Sequence, residues 1–254
     1  MSKFNSNYVP RSALTIFAHP DDAEFGVAGT LAKWARAGSD ITMVLCTSGN
    51  VGTHDASYTP KTLAETRENE QREAAGCMGV QRVVFLRHDD CALQPTLELR
   101  RELVREIRMH QPEVVICGDP TGWFYGNGYI NHPDHRAAAE AALEAVFPCA
   151  EMELLWPELG PAHKVHAVYI AMTDTGDVAI DIGDMREAKV QALKMHKSQM
   201  GEWDPTEMIT QWAKSSANEF RKKQKKDKKA RGKLKYAEVF RVMVLQDEEQ
   251  PPES

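Results

Sequence analysis

Two short runs concentrate the side chains able to do chemistry. The first is His19-Pro20-Asp21-Asp22, an imidazole and two carboxylates within four positions, directly after an apolar stretch. Imidazole and carboxylate suit zinc or ferrous iron. A turn stiffened by Pro20 can aim His19 and Asp22 at one point and leave Asp21 free as a base. The same residues also make an ordinary polar turn, and alone they do not decide between the two. The second run, His132-Pro133-Asp134-His135, adds two imidazoles and a carboxylate. A helix start accounts for Pro133, which fits a first helical turn, and for Asp134, favoured at the positive end of the dipole. It accounts for neither histidine. Two such clusters, each at an element boundary, point to one shared metal centre rather than to two coincidences.

The elements that must position them alternate along the chain. Strands are predicted at Ala13–Ala18, Ile41–Cys46, Val83–Leu86, Glu113–Cys117 and Val165–Ala171. Helices are predicted at Gly29–Ala37, Pro60–Met78, Leu97–His110 and Pro133–Phe147. Strand and helix in turn argue for an α/β, Rossmann-like three-layer sandwich with a mostly parallel central sheet, in which ligands bind beyond the carboxyl ends of the strands. Polar clusters follow the strands at that rim: Asp21/Asp22, Ser48/Asn50, Asp89/Asp90 and Asp119.

Composition narrows the class. With 42% hydrophobic and 27% charged residues, the 254-residue chain has material for a full core. Its apolar runs are far shorter than the roughly 20 residues of a membrane span, and MSKFNSNYVPR offers no secretory h-region. Five scattered cysteines without a Cys-x-x-Cys pair argue against disulfides and a zinc knuckle, and for a reducing cytoplasm. The run Arg221–Lys235 holds ten Lys/Arg and one Asp, and the remainder of the chain carries a net charge of −15. A nucleic-acid role is disfavoured, because aromatic residues do not interleave with the run before Tyr236. The expected layout is one unit over 1–245 and a disordered tail over 246–254.

The stretch AHPDDAEFGVAGTLAKWARAG resembles the opening signature of the LmbE-like, PIG-L-type de-N-acetylases. CTSGNVGT is similar to their second loop, LAETRENEQREAAGCMGVQRVVFL to their Arg-x-x-Glu helix and third strand, and HPDHRAAAEAAL to their second metal motif. AKVQALKMHKSQ and YAEVFRV resemble their C-terminal segments, so the likeness spans about 14–245. One departure is Ala23 between the aspartates and Glu24, which puts any role copied onto that glutamate in doubt.

The resemblance implies that His19, Asp22 and His135 bind Zn2+, or Fe2+, and leave a position for water. It implies that Asp21 is the general base and His132 the general acid, with Asp134 orienting the His132 ring. Arg67 matches a family arginine that binds sugar hydroxyls and Asp90 a family aspartate with the same task. Asp89 competes with Asp90, and Arg67 also reads as an exposed helix charge paired with Glu65 or Glu70. The implied reaction is metal-dependent removal of an N-acetyl group from an amino sugar or glycoside of the N-acetylglucosamine type, by a homo-oligomer such as a hexamer, with the cytoplasm expected from the cysteines. The alternatives are the same chemistry on a non-sugar amide or thiol conjugate, and a catalytically idle metal- or nucleic-acid-binding scaffold. Trp123–Tyr125 reads as a substrate lid or as buried packing, and His196 as part of a structural helix.

Overall fold

The computed structural model describes residues 4–223 and 234–246. Strands β1 (Ser12–Phe17), β2 (Asp40–Thr47), β3 (Arg82–His88) and β4 (Val114–Cys117) pair in parallel. A small hairpin of β5 (Phe124–Tyr125) and β6 (Tyr129–Ile130) precedes β7 (Ala167–Ile170), which joins β4, again in parallel. With β8 (Val178–Asp181) and β9 (Ala237–Val244) the sheet runs β3-β2-β1-β4-β7-β9-β8, and β9 is antiparallel to both of its neighbours. The helices are α1 (Asp22–Gly26), α2 (Ala28–Arg36), α3 (Pro60–Cys77), α4 (Leu97–His110), α5 (Pro133–Val146), α6 (Arg186–Met195), α7 (Lys197–Met200) and α8 (Thr206–Lys223).

Side-chain alternation along the central strands builds two cores. Ala13, Phe17, Met43, Leu45, Ile116 and Tyr169 face one layer, closed by Leu31 and Trp34 of α2, Ala74 of α3 and Ala192 of α6. Leu14, Ile16, Val44, Val115 and Val168 face the other, closed by Leu103 and Ile107 of α4 and by Ala138, Ala141 and Ala142 of α5. Each fully buried aliphatic side chain contributes about 1.5–3 kcal/mol of transfer free energy. Gly29 lets α2 lie against the chain after β8, because a Cβ there would stand 2.8 Å from the Ile182 side chain.

The expected three-layer α/β sandwich is therefore present, and the strand order shows where a ligand belongs. β1 leads through α1 and α2 to β2 on one side, whereas β4 leads through α5 to β7 on the other. The connections diverge at the β1/β4 boundary and open a crevice beyond the strand ends. His19 follows β1 and His132 opens α5, so both clusters border that crevice.

Three local readings differ. The helix expected through His196 breaks there into α6 and α7. β8, β9 and α8 are elements that the sequence reading did not predict. Gln246 is tied down by its N–H to the His166 carbonyl at 3.1 Å, so it belongs to the fold. The rest of the expected tail, and residues 224–233 of the basic run, lie outside the described residues.

Candidate active site

Pro20 ends the apolar run of β1, and Asp21 takes a left-handed backbone with φ 99°, which a residue with a Cβ adopts only at a cost of about 1–3 kcal/mol. Neighbouring bonds offset it. The Asp22 carboxylate accepts from the His19 N–H at 2.9 Å, and Gln71 accepts from the Asp21 N–H at 3.1 Å. The second cluster has a simpler support. His132 caps α5, Pro133 starts the helix, and the helical turn presents Asp134 and His135 in fixed directions.

The two runs meet. Asp22 Oδ1 lies 3.0 Å from His135 Nε2, and Asp22 Oδ2 lies 3.6 Å from His19 Nδ1. His19 Nε2 lies 3.0 Å from Asp90 and 3.3 Å from Asp134. The ring centroids of His19 stand 4.7 Å from His132 and 5.1 Å from His135. One nitrogen of each of these three rings falls within 4.8 Å of the others. The Asn131 Oδ1 and His135 Nδ1 are 3.0 Å apart, which turns Nε2 toward Asp22.

Charge coupling follows the same geometry. Burial alone would lower the His19 pKa, but Asp134, Asp22 and Asp90 raise it well above the ordinary value. His135 is likewise raised, Asp22 outweighing burial. Burial would raise Asp22, yet His135 and His19 hold it well below the carboxylate range. Asp90 falls to about 2, because His19 outweighs burial. Asp21 moves the other way, to about 6: burial raises it, Arg67 opposes, and Asp22 adds to the rise. His132 is lowered, first by burial and then by His19.

These residues fit a divalent cation. Imidazoles and carboxylates interleave so closely that protons on the rings are what balance the acids, and metal binding replaces such protons. The buried Asp134 Oδ1 has no hydrogen-bond partner. The set of three histidines and the set of His19, Asp90 and Asp134 each bring three donor atoms together. Asp22 enters through its pairs with His19 and His135.

Other candidates fall in less expected places. Arg67 is buried, which removes its reading as an exposed helix charge: its guanidinium donates to Pro20 O at 2.7 Å, Gly49 O at 3.1 Å and Asp21 Oδ2 at 3.3 Å. The approach requires glycine at 49, where φ is +63° and a Cβ would stand 2.2 Å from the guanidinium. Asp90 is buried against His19, whereas Asp89 pairs with the Asn50 amide on the surface. Asp134 reaches His132 chiefly through its backbone. Its carboxylate is 3.8 Å from Nδ1, while its backbone N–H donates to Nδ1 at 3.2 Å and its Oδ2 accepts from the Cys91 N–H. The reason is the cap, because His132 Nδ1 occupies the acceptor position that a free N–H in the first helical turn demands. Trp123 and Phe124 are 55% and 67% exposed, which excludes buried packing for those two rings, whereas Tyr125 is half-buried and its hydroxyl donates to Met172 O at 2.8 Å.

Sequence reasoning missed Gln71, Asn131 and Cys91. Gln71 sits four residues after Arg67 and so on the same helix face, a usable signal. Asn131 directly precedes the second motif. Cys91, 3.6 Å from His132 Nε2, had no signal beyond following Asp90.

A family described as PIG-L: GlcNAc-PI de-N-acetylase matches residues 14–146, just over half of the chain. The diacetylchitobiose deacetylase of Thermococcus kodakarensis is 34% identical over 204 residues, covering 77% of this chain and 74% of that one. The chain belongs to the PIG-L family. The PIG-L match takes in both His/Asp runs, Arg67 and Asp90, and stops before His196. The N,N'-diacetylchitobiose deacetylase of Pyrococcus horikoshii matches with a TM-score of 0.81 at 27% identity, over 95% of this chain and 88% of that one. GalB, the 4-carboxy-2-hydroxymuconate hydratase of Pseudomonas putida KT2440, matches with a TM-score of 0.76 at 21% identity, over 95% and 99%. That second likeness is one of fold, and it means that fold alone does not select amide hydrolysis. Among the described residues no helix is long and apolar enough to cross a membrane.

Proposed function

We propose that this chain is a metal-dependent hydrolase that removes the acetyl group from an N-acetylglucosamine-type amino sugar or glycoside. The observation that carries the reading is the meeting of the two His/Asp runs, 115 residues apart between His19 and Asp134, around one point beside Asp21. His19, Asp22 and His135 would hold the ion, Zn2+ or Fe2+. When bound, the ion supplies Lewis acidity, which polarises the amide carbonyl and makes water a stronger acid.

The chain's own residues do the rest. Asp21 takes a proton from the attacking water; a carboxylate near pKa 6 is ionised at neutral pH and more basic than an ordinary aspartate. Arg67 holds Asp21 from the far oxygen and keeps its carboxylate in the crevice. As the imidazolium, His132 gives its Nε2 proton to the leaving amine as the C–N bond breaks, giving acetate and the free amine, and the proton that Asp21 took from water returns to the ring. Arg67 and Asp90 remain the candidates for sugar hydroxyls. The intact base, acid and ligand set disfavours the idle-scaffold alternative. A cytoplasmic location and self-association complete the reading, and light scattering tests the latter.

The test measures acetate release from N-acetylglucosamine, N,N'-diacetylchitobiose and simple non-sugar acetamides, before and after chelation and after re-addition of Zn2+ or Fe2+. Release from the sugars that stops on chelation and returns with metal is expected. Turnover of the non-sugar amides alone would overturn the sugar assignment.

A further inference from the structure

Behind Asp21 lies a chain of polar side chains closed off from solvent. Gln71 Nε2 donates to Glu24 Oε1 at 2.6 Å, and Gln71 Oε1 accepts from the Asp21 N–H at 3.1 Å. His196 stands next, its Nε2 3.6 Å from Glu24 Oε2. Glu24, Gln71 and His196 are all fully buried. The direction of the amide is dictated by chemistry: the Asp21 N–H can only donate, so the Gln71 carbonyl oxygen must face it and the NH2 is left for Glu24.

The arrangement draws on three separate elements. Glu24 comes from α1, one turn beyond the strained residue, and Gln71 from the inner face of α3. His196 arrives because the chain breaks between α6 and α7, and the break is pinned to α3 where the Ser198 N–H and hydroxyl donate to Glu70 at 2.7 and 2.6 Å. A left-handed aspartate relaxes unless its surroundings over-determine it. Two contacts do so here, Arg67 on the side chain and Gln71 on the backbone N–H.

Resting on the reading of Asp21 as the base, we propose that Gln71, its amide direction set by Glu24 and backed by His196, is the positioning residue that holds Asp21 in its left-handed conformation. The His196 segment thereby serves the reaction from a distance, and the displaced Glu24 gains a role of its own.

The test uses the full-length, metal-loaded protein. Gln71→Met removes the acceptor while keeping the side-chain length. It should lower kcat by roughly ten- to a hundredfold, as a small misplacement of a reacting group does, with KM and metal content unchanged. Exchange of the Asp21 amide hydrogen should quicken roughly tenfold. Gln71→Glu faces Glu24 with a second buried carboxylate and should lose still more activity. The double variant Glu24→Gln with Gln71→Glu again supplies one donor and two acceptors, with the donor now on residue 24 and an acceptor still facing the Asp21 N–H, and should recover most of kcat. Unchanged Asp21 exchange in Gln71→Met, or a double variant no better than Gln71→Glu, overturns the proposal. If the wild type releases no acetate, the functional reading fails, while the exchange measurement still decides the role of Gln71.

Discussion

The two His/Asp runs reach one point by opposite means. The second is set locally: α5 fixes Asp134 and His135 by helical geometry, its first turn is capped by His132, and Asn131, four residues before His135, faces that ring. The first stands on a left-handed residue before a five-residue helix, and distant side chains supply its support, Arg67 and Gln71 from α3. A regular helix thus fixes an imidazole and a carboxylate from near neighbours in sequence. A strained turn aims a carboxylate where no helix could, and in exchange depends on residues about 50 positions away.

The contrast can be broken where it is sharpest. Asp21→Asn should keep about one ion per chain while acetate release falls by about a hundredfold or more. Metal analysis beside kinetics checks this, and loss of the ion would make Asp21 a ligand. On the helical side the effect should appear in metal affinity instead. His135→Ala should abolish stoichiometric metal, and Asn131→Ala should weaken metal binding by about ten- to a hundredfold, as loss of a ligand's outer partner does, with activity restored by excess metal. Competition against a chelator measures it.

Gly49→Ala tests the long reach of the first run. Its Cβ would collide with the Arg67 guanidinium in a backbone region unfavourable to alanine. About tenfold lower activity and a stability loss of about 1–3 kcal/mol are expected, with metal content intact. Thermal unfolding beside kinetics reads both. The smallest effect is expected outside both runs. Trp123→Ala should raise KM without changing metal content, and should cost less than about 1 kcal/mol of stability, since the exposed ring mainly stacks under Arg136 at 3.7 Å.

Legibility in the sequence followed the same division. The parallel strands and the amphipathic helices were readable because each buries a periodic face; Leu97–His110 was bounded to the residue. The metal-type residues were readable because imidazoles and carboxylates in pairs are hard to explain otherwise. What escaped were groups whose meaning depends on a partner far along the chain. Nothing near Arg67 in sequence says that it is buried against Pro20 and Gly49. Nothing near Asp134 says that its carboxylate will bind the Cys91 N–H while its own backbone N–H holds His132. His196 looked like any helical residue because the break there is imposed by Ser198 on Glu70, a contact made only in the folded chain.

The strand β9 has a bearing on how the molecule is made. Glu238, near its start, accepts from the N–H groups of Gly29 and Thr30 at 3.0 and 2.7 Å, and pairs with Lys189 at 2.6 Å. It thereby caps α2, which has no side-chain cap of its own. The ribosome must add 209 residues after Gly29 before that acceptor exists. Through most of translation α2 begins with unsatisfied donors, and from the completion of β7 until β9 is made β7 presents an unpaired edge. The nascent chain therefore holds both His/Asp runs well before its closure, and that interval is when chaperones have something to hold.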